Sequence, residues 1–549
     1  MRRSLIAFAL ASLLPTATRA QSPELEALVD SIVAGPMDAG RLAGVAVGVV
    51  EGGRPLLLEG YGQADVEWDV PLPVDAVFQV GSVTKQFTAV AALMLWERGD
   101  LDLDADLTTY LPDYDTQGRS VPVRLLFDHT SGIQGYTEMP AAMTELATRS
   151  LPRDTLVDLF EAEPFQFEPG EALIYNNSAY FLLGLIIEEI SGQSYEEYLE
   201  DHVYPTAGMD DTSYCSNQAI VERRSEGYAA TSDGLVRAAY LDHTWPYAAG
   251  SLCSTVPDLL DWIAALHGGE VLGPDAYELL VTPKGLTDGT PTRYAWGLVA
   301  FEGAGGAMIA HGGGINGFSS ETRWYPEHDA GVVVLVNTTG SLDPNDVADA
   351  VADHLYGTPE PATADYPGDV SALVGEYRGP VRGDNDLRVR VDLDDQGRLV
   401  LKGLGPTQAL EFLDGATFAQ GNARYSFTLV DGVPTRLDVD QVYGHYVLGA
   451  GALGPVVEAE VAPEVMARHV GRYDVSEMGA VAEITLDGGS LWVKLGDQPR
   501  LRLVPDGDDE YHVDEVAAHV RFEVVDGETV AMIVEQGPNE LRAERLPGG

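Results

Sequence analysis

The strongest constraint on the fold is a pattern that occurs twice in the last third of the chain. Val374-Gly375-Glu376-Tyr377 is echoed by Val470-Gly471-Arg472-Tyr473, and Gly397-Arg398-Leu399-Val400-Leu401-Lys402 by Gly489-Ser490-Leu491-Trp492-Val493-Lys494. The two echoes keep nearly the same offset, and the intervening sequence alternates apolar and polar residues as strands do. Two consecutive all-β, antiparallel, barrel-like domains of roughly 90 residues each are expected, at 370–456 and 462–549.

Ahead of them, 357–369 contains Pro359, Pro361 and Pro367 and reads as a linker. The region 21–356 is different in kind. Glu24–Val33 has helical spacing, and Val45–Val50 and Leu56–Leu58 read as a hairpin around Glu51-Gly52-Gly53-Arg54. Phe87, Val90, Leu93 and Met94 recur at helical spacing before Gly99. Helical patterns then dominate through about 290, including Tyr180–Ile190 and Leu259–Leu266. Strand patterns return at Trp296–Phe301, Gly317–Tyr325 and Val332–Val336, and Asp346–Leu355 reads as a closing helix. Strands early and late with helices between them predict one α/β domain whose sheet is completed by both ends of its sequence.

Residues 1–20 read as an export signal: Arg2 and Arg3, an apolar stretch from Leu5 to Leu14, and small residues ending at Ala20. No later apolar run is long enough to span a bilayer, so a periplasmic or secreted protein is expected, with no membrane insertion after cleavage. Cys215 and Cys253 are the only cysteines, too few for a cysteine-rich zinc or iron–sulfur site. Their spacing leaves a disulfide and two buried thiols equally open. With 33 basic and 86 acidic residues the chain carries a net charge of −53, which would repel nucleic acid and anionic lipid.

Lysine is scarce: only Lys85, Lys284, Lys402 and Lys494 are present. One of them completes Gly81-Ser82-Val83-Thr84-Lys85, where a helix is expected to begin. Ser82 and Lys85, three residues apart, then share one helix face. A neutral lysine amine in hydrogen-bond reach can take the serine proton, and the helix N-terminus favours the negative charge that develops. Tyr175-Asn176-Asn177 follows the turn Glu168-Pro169-Gly170 and precedes a helix; a tyrosine there can relay protons, and Asn177 can donate to a substrate and accept from Lys85. His311-Gly312-Gly313-Gly314 precedes a strand, and its glycines would let a substrate approach an exposed edge whose N–H groups stabilise an oxyanion. Taken singly, each motif also fits an ordinary helix start, a cap or a glycine turn.

In this order, S-x-x-K, Y-x-N and H-x-G, residues 25–356 resemble the serine hydrolase family of class C β-lactamases, penicillin-binding DD-peptidases, D-aminopeptidases and related esterases. The resemblance extends to Val123–Ile133, similar to the family's "RHLLTHTSGL", to Gly208-Met209-Asp210-Asp211-Thr212, to Ala248-Ala249-Gly250-Ser251-Leu252, and to His311–Ser319. It implies an antiparallel sheet flanked by helices with a helical subdomain. It further implies Ser82 as nucleophile, Lys85 as its base, Tyr175 in proton transfer, and Asn177, His311, Gly313 and Gly314 on the substrate side, with Gly314 supplying half of the oxyanion hole. His311 stands where β-lactamases of the family have the lysine of K-T-G, which puts efficient β-lactam hydrolysis in doubt. His129 falls in a family segment that is structural.

The layout of a catalytic domain followed by two β modules resembles the D-aminopeptidase branch. The resemblance implies a serine hydrolase of small amides, D-residue peptides or esters that works through an acyl-enzyme without cofactor or metal. A carboxylesterase and a penicillin-binding sensor or wall-binding protein with little turnover are the alternatives. Neither contact between the modules and the site nor the oligomeric state can be read from the sequence, and a homodimer stays open.

Overall fold

The computed structural model describes residues 22–546 apart from 140–142, 144–145, 359–365, 405–406, 454–458, 476–479, 497–498, 514–517, 526 and 537–538. The stretch read as an export signal lies outside the described residues, as does most of the proline-rich linker.

A seven-stranded sheet organises the first domain, in the order Val299–Gly303, Gly306–Ile315, Phe318–Tyr325, Ala330–Val336, Gly44–Glu51, Arg54–Asp65, Val70–Pro71. Neighbours are antiparallel throughout. The first and last strand groups meet where Val45 pairs with Val336 and Val49 with Val332, so both ends of the domain's sequence do complete one sheet.

Alternation then sorts the side chains. Val45, Val47, Val49, Val332, Val334 and Val336 pack with the helices Pro23–Asp38 and Pro344–Tyr356, whereas Ala46, Val333 and Leu335 face the opposite core with the helix Val256–His267. A β-carbon on Gly48 would lie 2.4 Å from Val256 Cγ1, so glycine there lets that helix lie close on the sheet.

The helix Thr84–Glu97 runs between the sheet and a helical layer that includes Arg153–Glu161, Asn177–Ser191 and Tyr195–His202. It is apolar on nearly all sides and almost wholly buried, as a central helix must be. Its one long uncharged polar residue, Gln86, is satisfied on both sides, donating to Thr322 Oγ1 at 2.8 Å and accepting from Trp262 Nε1 at 3.1 Å. The Ser82–Lys85 motif is thus set on a buried, well-packed support.

Both β modules are antiparallel meanders with their own apolar cores. The echoed motifs occupy equivalent places. Tyr377 and Tyr473 lie on first strands, and each donates to the carbonyl four residues earlier, Leu373 at 2.8 Å and His469 at 2.7 Å. Lys402 and Lys494 lie on third strands.

The modules differ in closure. The second is a closed eight-stranded barrel, whereas the first is an open curved sheet. Its outer strands are Leu399–Lys402 and Glu411–Asp414; among the described residues a single bridge, between Val400 and Ala409 just ahead of the latter strand, links the two edges. Its strand Gly444–Leu453 also pairs with a short strand of the first domain, with Gly444 opposite Ile174 and His445 opposite Leu173.

Candidate active site

Gly81–Val83 forms a 3₁₀ turn that runs directly into the helix carrying Lys85. Gly81 has a positive φ of 51°, and its backbone lies against that of Gly314, which a β-carbon there would approach to 2.9 Å. Lys85 Nζ sits 3.2 Å from Ser82 Oγ, 2.7 Å from Asn177 Oδ1 and 2.8 Å from the carbonyl oxygen of Ala249. Burial, and after it the charge of Arg382, hold Lys85 well below the usual lysine range, with Glu138 acting in the opposite direction. A neutral amine has two N–H donors and one lone pair. Asn177 and Ala249 take the donors, and the lone pair faces the Ser82 hydroxyl.

Tyr175 is buried, and burial pushes its phenol above the usual tyrosine range, opposed by Ser82 on its hydroxyl side. Its hydroxyl makes no well-formed hydrogen bond. The ring is wedged by His129, 4.3 Å away, whose Nδ1 accepts from the Asn176 N–H at 3.2 Å. His129 therefore positions the tyrosine loop and does not face the cavity.

Asn177 begins the helix that follows. Its Oδ1 accepts from Lys85, but its amide donates to Thr137 Oγ1 at 2.9 Å. One of the two N–H groups of that amide is thus engaged within the protein, and Asn177 still lines the cavity.

His311, expected to orient the carbonyl or carboxylate side of a substrate, lines the cavity but is packed into its wall. It is fully buried, and burial pushes it down to about 3. Nε2 meets the Tyr294 hydroxyl at 2.9 Å, Nδ1 meets the Gly312 carbonyl at 2.6 Å, and the ring packs 5.1 Å from Tyr443. The imidazole is neutral and enclosed, so it presents no positive charge to a ligand.

Gly313 and Gly314 do lie beside Ser82. A β-carbon on Gly313 would fall 2.1 Å from the Val80 oxygen and 3.0 Å from Ser82 N, whereas one on Gly314 would meet nothing within 4 Å. The Gly312 N–H points off the sheet to the Tyr443 hydroxyl at 2.5 Å. N–H groups alternate in direction along a strand, so Gly314, two residues on, presents its N–H from the same edge.

Ser82, Tyr175, Asn177, His311, Gly313 and Gly314 line one cavity of about 570 Å³. A larger cavity of about 770 Å³, lined by Cys215, His243 and Glu196 among others, contains none of them.

Sequence reasoning missed three contributors. The Ala249 carbonyl acts through its backbone and has no side-chain signature. Arg382 and Tyr443, both cavity-lining, come from turns of the first β module. Arg382 Nε donates to Glu138 Oε1 at 2.7 Å, and its guanidinium lies 4.9 Å from the centre of the Tyr175 ring. Further contacts hold the module in place. Arg293 pairs with Asp440 at 2.9 Å, Arg436 with Asp288 at 2.8 Å, and Gln166 donates to Asn385 at 2.9 Å. Cys215 and Cys253 form a disulfide, Cα–Cα 5.1 Å, joining the short strands Ser213–Tyr214 and Leu252–Ser254 behind the site.

A sheet, buried helix and S-x-x-K constellation of this kind define a serine β-lactamase-like hydrolase fold. Residues 29–356 match the family model described as Beta-lactamase, and the chain belongs to that family. Protein flp of Staphylococcus aureus strain MRSA252 is 28% identical over 327 residues, covering 58% of this chain and 64% of its own length. The match thus spans less than two thirds of that relative. A D-stereospecific amidohydrolase from Streptomyces sp. superposes with a TM-score of 0.53 at 25% identity, covering 59% of this chain and 97% of its own. The octameric penicillin-binding protein homologue from Pyrococcus abyssi gives a TM-score of 0.53 at 23% identity, covering 77% and 99%, a likeness of fold.

Proposed function

We propose that the protein is a serine hydrolase that cleaves small amides, D-residue peptides or esters through an acyl-enzyme on Ser82. The observation that carries this reading is the Lys85 amine, whose N–H groups are taken by Asn177 and Ala249 and whose remaining side faces Ser82. Similarity to a D-stereospecific amidohydrolase supports the amide side of the reading.

In the first step Lys85 takes the Ser82 proton as the oxygen attacks the substrate carbonyl. The oxyanion is held by the Ser82 and Gly314 N–H groups. Tyr175, neutral because buried, gives its proton to the leaving nitrogen or oxygen as the carbonyl–leaving-group bond breaks and regains one from Lys85, so that both end neutral. Water then attacks the acyl-enzyme, gives its proton back through the same groups, and restores the Ser82 hydroxyl.

Export to an oxidising compartment belongs to the same proposal, supported by the amino-terminal apolar stretch and by the paired cysteines.

The test is a panel of D- and L-aminoacyl nitroanilides, short nitrophenyl esters and nitrocefin, run on the wild type and on Ser82→Ala. Turnover that vanishes in Ser82→Ala, with an acyl adduct on Ser82 in intact-protein mass spectra, is the expected result. Activity surviving in Ser82→Ala on the best substrate would refute the mechanism. Turnover of esters alone would favour a carboxylesterase, and a long-lived adduct without turnover a penicillin-binding sensor.

A further inference from the structure

The catalytic cavity contains a cation that does not come from the catalytic domain. The first two strands of the first β module, Gly375–Val381 and Asp384–Leu393, are joined by a turn made of Arg382 and Gly383. Gly383 takes the positive φ of 81° that so tight a turn requires. The turn carries Arg382 to the wall of the cavity that holds Ser82 and Tyr175.

Its surroundings say what the guanidinium is free to do. Nε is engaged by Glu138 Oε1 at 2.7 Å, and the other Glu138 oxygen accepts from Thr137 Oγ1 at 2.9 Å. Glu138 is therefore satisfied on both oxygens, and its charge is balanced. Among the described residues neither terminal nitrogen of Arg382 has a hydrogen-bond or ion-pair partner, and the side chain keeps 42% of its exposure. A planar fork with two unengaged N–H groups at the edge of a cavity suits a carboxylate, which it can bind through two parallel hydrogen bonds.

Nothing else in the cavity wall competes for that role. His311 is neutral and enclosed, the Lys85 amine is occupied on three sides, and Asp343, the acidic lining residue, would repel an anion while capping the helix at Pro344 through the Asn345 N–H.

Position also selects the end of the substrate. The guanidinium lies beside the ring of Tyr175, the group that faces Ser82 and hands a proton to the departing atom. A group held by Arg382 therefore belongs to the part of the substrate that leaves.

We infer that Arg382, carried into the cavity by the β module, binds the free carboxylate of the leaving residue, so that the preferred substrates are short peptide acids that release their terminal amino acid. This deepens the Ser82 acyl-enzyme reading and rests on it. The amide C–N bond breaks, Ser82 Oγ gains the acyl group, and the departing amine takes its proton by way of Tyr175. The amino acid then leaves with the carboxylate that Arg382 held.

The test compares an acyl-dipeptide acid with its terminal carboxamide, reading the ratio of their kcat/KM values in wild type, Arg382→Gln and Arg382→Lys. Using the ratio removes any general effect of these changes on Ser82 or Lys85. The wild type is expected to prefer the acid. Arg382→Gln should cut that preference by about ten- to a hundredfold, as the loss of a charge-assisted pair implies, and Arg382→Lys should restore part of it.

A ratio unchanged in Arg382→Gln, or no preference in the wild type, would overturn the inference. Wild type that hydrolyses a neutral nitrophenyl ester through Ser82 but neither peptide would overturn it too, while leaving the acyl-enzyme reading intact. Activity persisting in Ser82→Ala would remove the underlying reading first. If both variants misfold, competitive inhibition of wild-type ester turnover by the free amino acid against its amide reads the same preference, and equal inhibition counts against it.

Discussion

The amine of Lys85 donates to the backbone oxygen of Ala249 across 2.8 Å, a contact between two segments 164 residues apart in sequence. Together with Asn177 it turns the lysine lone pair toward Ser82, and burial keeps the amine from being an ordinary cation. Acylation should accordingly rise with pH through the depressed Lys85 ionisation and level off above it. Glu138 favours the charged form of Lys85 and Arg382 disfavours it. Glu138→Gln should therefore move the rising limb to lower pH, and Arg382→Gln should move it to higher pH. Stopped-flow acylation with a neutral ester from pH 5 to 9 measures both shifts; a flat profile would argue against a lysine base.

Removal of chemical groups should follow the assigned roles. Lys85→Ala is expected to slow acylation by a thousandfold or more, and Tyr175→Phe by about 10²- to 10⁴-fold, the usual range for a lost proton-transfer partner. Single-turnover kinetics with mass detection of the Ser82 adduct would separate an acylation defect from a deacylation defect.

The glycines after His311 should not be equivalent. Gly313→Ala would drive a methyl group into the Val80 oxygen and against Ser82 N, moving the nucleophile relative to the strand edge. A loss of at least a hundredfold in kcat is expected, consistent with displacement of catalytic groups by about an ångström. Gly314→Ala has room in the free enzyme and should fold with a normal thermal midpoint. Any loss it causes should be confined to kinetics with bulky substrates.

The Cys215–Cys253 bond closes a loop of 38 residues and ties together strands next to the one that leads to Ser82. Loop-closure entropy of that size is worth about 3–4 kcal/mol. Cys215→Ser and Cys253→Ser should each lower the thermal midpoint by several degrees, and reductant should do the same to wild type but not to the double variant. Scanning calorimetry with and without reductant checks this.

The two β modules should contribute unequally. Truncation after Leu453 removes only the closed barrel, which among the described residues contributes none to the Ser82 cavity, and should leave a folded, active enzyme. Truncation after Tyr356 also removes Arg382, Tyr443 and the strand that pairs with Leu173–Ile174. It should abolish turnover even where circular dichroism reports a folded domain.

What the sequence disclosed and what it hid divide along physical lines. Ser82 and Lys85 are legible because three-residue spacing fixes their common face, and Tyr175 and Asn177 because a turn and a helix start bracket them. The valine alternation at Val45–Val49 and Val332–Val336 likewise announces a sheet buried on both faces. His311 misleads because one residue does not reveal its burial, and only packing against Tyr294 and Tyr443 makes it neutral and unavailable. Arg382 sits beside a glycine in a hairpin turn, where most arginines point into water. The strand shared between the first domain and the first module was equally hidden, since it depends on Leu173 and Ile174 joining a sheet from some 270 residues away.

That shared strand has a consequence for the life of the chain on the ribosome. Synthesis proceeds from the amino terminus at about 5–20 residues per second, so the tyrosine loop emerges tens of seconds before the strand that pairs beside it. Until Gly444 and His445 arrive, the loop holding Tyr175 has no ladder to join. The loop beside Ser82 is therefore made early and gains its ladder partners only when the first β module follows.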